Sequence, residues 1–282
     1  MLKFSIASFS FHRLLADGKQ DMFGYIADSK RLGAVQLDPW NAHLSALQDE
    51  DAVIRGGRDP ENAQFSAQND DYLVRVKAAA EAVGLPFGCL AVDGAHIYES
   101  DAEKRRSNRA AAYRWLEVAE KLGAQQVRID AGGPEDMPDD VFEIIVAGYD
   151  DVIRRAGNKG IEVLVENHWG PTKFPDHVIK LLDAVKGLSL LFDTNNWAEG
   201  HQQEGWQRCA RYARSVHVKT FAFDAAGNDP TVDIPQVIQI LVEAGYDGVW
   251  GIESVPRDGD EIGAVRKTAA LIERTLAAIE SE

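Results

Sequence analysis

Eight β-rich runs alternating with helical stretches predict an α/β chain folded as a single (β/α)8 TIM barrel. Three observations carry that expectation. The alternation calls for a parallel sheet with right-handed crossovers. The length divides well: 282 residues in eight units is about 35 each, room for a strand, a helix and two loops. A junction of helix, Gly and apolar strand recurs at Gly33, Gly84, Gly123, Gly160, Gly187 and Gly245, as a left-handed helix cap would. An open doubly wound sheet is the other arrangement such alternation allows.

The elements follow in order. Strands are expected at Lys3–Ser8 and Ala34–Asp38, the segment between them ending in Leu32-Gly33. After the second strand comes one oversized connection, Pro39–Asn69, about 30 residues containing Gly56, Gly57 and Pro60. A loop of that length after a strand belongs over the active face. Asp70–Val83 places Leu73, Val76, Ala80 and Val83 on one helical stripe. The strand Phe87–Val92 follows, then Asp101–Leu122, rich in Ala, Arg and Glu and closed by Gly123. Strand Gln126–Asp130, helix Asp139–Asn158, strand Ile161–Glu166, helix Asp176–Val185 and strand Leu188–Asp193 continue the alternation. The helix near Glu204–Ala213 has the least regular pattern. Strand Ser215–Lys219, helix Pro235–Ala244, strand Gly248–Glu253 and helix Glu261–Ile279 complete eight units. No Pro- or Ser-rich linker divides them, so residues 1–282 are expected to form one domain.

Composition narrows the function classes. Thirty Lys+Arg against 45 Asp+Glu give a net charge of −15, which argues against nucleic acid and anionic membrane surfaces as partners. Cys89 and Cys209 are too few for a disulfide framework or a cysteine metal cluster and suit a reducing compartment. The opening Met1-Leu2-Lys3-Phe4 leads into no long apolar run, so neither a signal peptide nor a membrane span is expected and the location expected is cytoplasmic. There is no G-x-G-x-x-G, no G-x-x-x-x-G-K-[ST] and no G-x-S-x-G, which lowers hydride transfer, triphosphate chemistry and serine acyl transfer.

In such a barrel the working residues stand at the C-terminal ends of the strands. There the sequence places Asp38 and Trp40, Asp93 and His96, Arg128 and Asp130, Glu166 and His168, Asp193 with Asn195, Asn196 and Trp197, His217 and Lys219, and Glu253. The N-terminal ends read mostly as Ala, Leu and Gly. Period-two alternation puts Glu166, Asp193, His217 and Glu253 in phase, all facing inward from four successive strands. Three carboxylates on one rim repel unless protonated, matched or metallated, and a divalent cation beside a neutral imidazole relieves them. Oxygen-rich ligands with one imidazole suit Mn²⁺ or Mg²⁺, with Co²⁺ and Zn²⁺ as alternatives. Taken singly, each acid reads as a cap or ion-pair partner and His217 as a core histidine; the in-phase set is what favours a metal. His12, His43, His177 and His201 are expected to be solvated, whereas Trp40, Trp169 and Trp197 read equally as core filler or as walls for a sugar-like ligand.

At these residues the chain resembles the xylose isomerase-like (β/α)8 superfamily, in its sugar isomerase/epimerase branch of ketose 3-epimerases, hydroxypyruvate isomerase and inosose dehydratase. The carrying segments are Val163-Leu164-Val165-Glu166-Asn167-His168, Leu191-Phe192-Asp193-Thr194-Asn195, Val216-His217-Val218-Lys219 and Gly251-Ile252-Glu253, with Ser8-Phe9-Ser10-Phe11 and Asp93-Gly94-Ala95-His96 in support. The resemblance implies that Glu166, Asp193, His217 and Glu253 bind one divalent metal ion, Mn²⁺ first among those named. It implies that the metal stabilises a cis-enediolate, with Glu166 and Glu253 as acid and base on opposite faces of the substrate carbon. His168 and Lys219 would then bind hydroxyls or polarise a carbonyl, and Asn196, His96, Trp40 and Arg128 are the further substrate-binding candidates. Two departures stand out: Asn196 replaces a His three residues after the metal Asp, and Phe223 replaces an Arg six residues after the metal His. The expectation is a sugar or α-hydroxyketone isomerase or epimerase. A lyase or dehydratase on a keto-sugar or keto-inositol is one alternative, a non-catalytic sugar-binding barrel another. The partner expected is a small carbohydrate, with a homo-oligomer left open.

Overall fold

The computed structural model describes residues 2–45 and 65–281, so the middle of the long Pro39–Asn69 connection lies outside the described residues. Eight parallel strands form one sheet in the order β2-β1-β8-β7-β6-β5-β4-β3. They are β1 (Phe4–Ala7), β2 (Gln36–Asp38), β3 (Cys89–Val92), β4 (Gln126–Ile129), β5 (Glu162–Glu166), β6 (Leu188–Asp193), β7 (Ala213–Thr220) and β8 (Trp250–Ser254). The helices are α1 (His12–Ala16), α2 (Met22–Leu32), α3 (Asp70–Val83), α4 (Ala102–Leu122), α5 (Asp139–Gly157), α6 (Pro175–Ala184), α7 (Gln202–Cys209), α8 (Ile234–Glu243) and α9 (Glu261–Glu280). This is a nearly closed (β/α)8 barrel, and the open-sheet alternative falls.

The expected elements are present with three adjustments. The α2 helix is marked in the sequence only by its cap, Gly33, which stands at φ 94. The irregular helix before β7 is a two-turn α7, followed by a 3-10 turn at Ala210–Tyr212 that hands the chain to β7 two residues earlier than expected. The β2 strand shrinks to three residues, and β2 and β3 meet only at the parallel bridges Leu37↔Phe87 and Trp40↔Ala91. There Asp38 supplies what the short strand lacks: its Oδ1 accepts the Cys89 backbone N–H at 2.9 Å. Gln36 Nε2 donates to the same oxygen at 2.9 Å, and Ser5 Oγ donates to Oδ2. Asp38 thus closes the seam of the barrel instead of standing at its mouth.

Alternation sorts the strands into two faces. Ile6, Leu37, Leu90, Val127, Val163, Leu190, Val216 and Ile252 face outward into one continuous core under the helices. Inside the barrel Cys89, Leu164 and Leu191 form a small apolar waist. Below it the N-terminal ends are polar, contrary to the reading of Ala, Leu and Gly. Gln126 Nε2 donates to Glu162 at 2.9 Å, Ser189 Oγ to Glu162 at 2.7 Å and Ser215 Oγ to Gln126 at 2.6 Å. Side chains with complementary donors and acceptors satisfy one another there at little cost.

Two of the four histidines expected in solvent are not there. The 3-10 turn Asn41–Leu44 folds His43 beneath Trp40, where it is 3% exposed with Nδ1 at 3.1 Å from Ser8 Oγ. His12 stacks on Phe9 at 4.7 Å, with Nδ1 3.2 Å from Glu261. Of the long connection, Ser45 bridges Ala67 and the Gln68 N–H bonds to the Leu44 carbonyl, so the described ends lie side by side.

Candidate metal centre and active site

Consecutive strands carry the candidate residues to one place. In register, Asp193 lies beside His217 and Lys219 beside Glu253. Glu166, Asp193, His217 and Glu253 are all buried and each offers one ligand atom, the four atoms lying within 4.8 Å of one another. Burial follows from position, since Glu166 and Asp193 stand two residues beyond the waist residues Leu164 and Leu191, and His217 and Glu253 face inward on the next two strands.

Each side chain is oriented by neighbours. Asp193 Oδ1 accepts the backbone N–H groups of Asn195 at 2.7 Å and Asn196 at 3.0 Å, which leaves Oδ2 without a hydrogen-bond partner. Glu253 reaches Lys219 Nζ at 2.6 Å and His217 Nδ1 at 2.9 Å. Lys219 also lies 3.6 Å from Asp193 and donates to Asn196 Oδ1 at 3.1 Å. Asn196 Nδ2 in turn donates to Glu166 Oε1 at 3.4 Å. On the other side Arg128 Nε is 2.9 Å from Glu166 Oε2, an ion pair too bent to be a hydrogen bond.

The crowding shows in the acid–base balance. Burial would push the Glu166 carboxyl up, but His168, Arg128 and His217 outweigh it and hold the group down at about 2. Burial raises Asp193 to about 6, reinforced by Glu253 and Glu166 against Lys219. Burial works against a charged His217, yet Glu253 and Glu166 lift it to about 10. Lys219 is likewise raised, its burial overcome by Asp193, Glu253 and Glu166. Side-chain cations therefore supply the charge that three buried carboxylates require.

The donor set fits a hard divalent cation: three carboxylates and one imidazole, with Asp193 Oδ2 and His217 Nδ1 buried and lacking hydrogen bonds. Of the expected substrate-binding residues, Lys219 and Asn196 join this group directly. His168 stands beside it, Nδ1 3.8 Å from Glu166 and 3.1 Å from Asp130. Arg128 is buried and occupied by carboxylates, NH1 at 2.7 Å from Asp93 and 2.9 Å from Asp130. Trp40 and His96 sit further out. Trp40 Nε1 donates to Asp93 at 2.7 Å, and His96 Nε2 is held 2.7 Å from Glu99. Trp197 is core, packed on Phe192 at 5.8 Å, whereas half-buried Trp169 meets the His168 ring edge-on at 4.6 Å. Phe223 lies under Lys267, 5.4 Å from its ring centre. Sequence reasoning passed over Asn167, which grips the backbone of Asp193; its signal was the Glu-Asn-His run itself.

Fold and site define a (β/α)8 barrel with a candidate metal centre at its C-terminal mouth. The chain belongs to the xylose isomerase-like TIM barrel family, whose profile matches residues 51–275. No protein of curated function matches the sequence. Among solved structures it is similar to D-allulose 3-epimerase from Methylomonas sp., at 16% identity and TM-score 0.71 over 97% of this chain and 98% of that one. It is similar also to the probable 3-DHS dehydratase AsbF of Bacillus anthracis, at 13% identity and TM-score 0.69, covering 96% and 99%. A third is a xylose isomerase-like TIM barrel protein from Mycobacterium smegmatis in complex with magnesium, at 17% identity and TM-score 0.68, covering 99% and 97%. Among the described residues no helix is long and apolar enough to cross a membrane, and both cysteines are free and buried.

Proposed function

We propose that the protein is a divalent-metal-dependent isomerase or epimerase of a sugar or sugar-like α-hydroxyketone. The observation that carries this is the buried Glu166, Asp193, His217, Glu253 group with its ligand atoms within 4.8 Å. These four residues would hold the ion, Mn²⁺ or Mg²⁺ suiting the donors best. When bound, it supplies Lewis-acid charge against a carbonyl and a neighbouring hydroxyl oxygen.

The chain's own residues account for the proton. Glu166 and Glu253 come from β5 and β8 and flank Asp193 and His217, so they approach a bound carbon from two sides. One removes the α-proton and the other returns it, which inverts the carbon; return to the adjacent carbon isomerises it. Asn196 and Arg128 steady Glu166, and Lys219 steadies Glu253 and Asn196 at the rim where a substrate oxygen would bind. His168, 3.8 Å from Glu166, would bind a hydroxyl beside it. A cytoplasmic carbohydrate substrate accords with the free cysteines and the acidic charge.

The test is exchange of ketose α-protons with D₂O in the Mn²⁺-loaded protein, followed by proton NMR over a panel of ketoses. Glu166→Gln, retaining its metal, is expected to slow exchange by about 10²–10⁴-fold. Exchange at the wild-type rate in that variant would remove Glu166 from the role.

A lyase reading draws on Asn196 and Phe223, which stand where the resemblance to ketose 3-epimerases calls for a His and an Arg. Product mass separates the two, since dehydration loses water and epimerisation does not.

A further inference from the structure

Glu166 turns its two oxygens toward different neighbourhoods. Oε1 lies 3.4 Å from His217 Nδ1 and 3.4 Å from Asn196 Nδ2, within the four-residue group. Oε2 faces away from it, 2.9 Å from Arg128 Nε and 3.8 Å from His168 Nδ1. On that second side Asp130, Glu166 and His168 offer another set of ligand atoms within 4.8 Å of one another. Two oxygens of the set, Asp130 Oδ1 and Glu166 Oε2, are buried without a hydrogen-bond partner, in residues only 6% and 1% exposed. Unpartnered buried carboxylate oxygens are costly unless a cation neutralises them.

A cation is already there. The Arg128 guanidinium lies 2.9 Å from Glu166, 2.9 Å from Asp130 and 2.7 Å from Asp93. A carboxylate shared by two cations is the arrangement of two-metal sites, whose ions stand about 3.5–4 Å apart. A guanidinium is permanently charged and carries fixed donors, but it has no open coordination position.

We propose that Arg128 fills, with a side-chain cation, a second divalent-metal position formed by Asp130, Glu166 and His168, and so limits the chain to one metal ion. This rests on the reading that Glu166, Asp193, His217 and Glu253 hold the first. Arg128 then balances Glu166 without offering a substrate oxygen a second Lewis acid, which confines the chemistry to the Asp193 side.

The test is Mn²⁺ stoichiometry by calorimetry and electron paramagnetic resonance on the full chain, with folding checked by circular dichroism. Wild type is expected to saturate at one ion per chain up to millimolar Mn²⁺. Arg128→Met should take up two, with the spectrum of two exchange-coupled ions sharing a carboxylate, and adding His168→Ala should return it to one. Arg128→Gln serves if the Met variant does not fold. A wild type that binds two ions overturns the proposal, as does a folded Arg128 variant that still binds one. A wild type that binds none overturns the metal reading itself, and this proposal with it.

Discussion

Asn167 clasps the backbone of Asp193 from both sides: its Oδ1 accepts the Asp193 N–H at 2.8 Å, and its Nδ2 donates to the Asp193 carbonyl at 2.9 Å. The side chain ends one strand and replaces the ladder contact at the end of the next, holding a candidate ligand in place without touching the ion position. Asn167→Ala should weaken Mn²⁺ binding about 10–100-fold, as loss of an outer support does. It should also cost about 2–4 kcal/mol, since two buried bonds are lost and two backbone groups are left unpaired. Calorimetry and urea denaturation read the two effects separately.

Lys219 is the counter-charge of both Asp193 and Glu253. Lys219→Met leaves those carboxylates short of a cation and should destabilise the metal-free protein by about 3–5 kcal/mol. Added Mn²⁺ should restore most of that loss, so the rise in melting temperature on adding metal should be larger than in wild type. A variant no more dependent on metal than wild type would contradict the charge balance described for the site.

His43 gives a pH dependence remote from the metal centre. Burial, with His12 adding to it, holds His43 neutral down to about 3, whereas in the unfolded chain it protonates near 6.5. Below about pH 6.5 the unfolded state therefore binds a proton that the native state refuses. Its stabilising effect is intact above that pH and is lost as pH falls toward 3, by about 1.4 kcal/mol per pH unit. His43→Gln should flatten the fall in urea midpoint between pH 6 and pH 4 by about one proton's worth. An unchanged slope would place the titrating group elsewhere.

Asp38 closes the β2–β3 seam through the Cys89 amide. Asp38→Ala should lower stability by about 2–4 kcal/mol, because it leaves Gln36 and Cys89 donors unpaired in a buried setting. Hydrogen exchange at Cys89 should accelerate more than at Val127 on the intact β4 ladder.

The barrel and the four in-phase residues were legible because alternation reports which side of a strand a residue faces, and the ends of β5 to β8 are polar. Alternation does not report depth. Glu162 and Glu166 share a face of β5, yet one bonds Gln126 and Ser189 below the waist while the other joins the candidate metal centre. Asp38 was assigned to the mouth for the same reason: a short strand and a missing ladder bond leave no trace in one sequence. Burial of His43 depends on a 3-10 turn in a loop, where no period exists to read. Arg128 was visible at a strand end, but its three carboxylate partners come from the residues just past β3 and β4 and from the end of β5, so only the folded barrel reveals that it is already engaged.

The apolar waist of Cys89, Leu164 and Leu191 has a kinetic meaning for the proposed reaction. It makes the barrel a vessel with a floor, so ion and sugar share one doorway. Asp193, wholly buried, lies at the bottom of what that doorway admits. A polyol seated above it would cork the ion in. Loading should then be compulsory in order, cation before sugar, and chelators should strip the metal readily from the resting protein but slowly from one saturated with ligand.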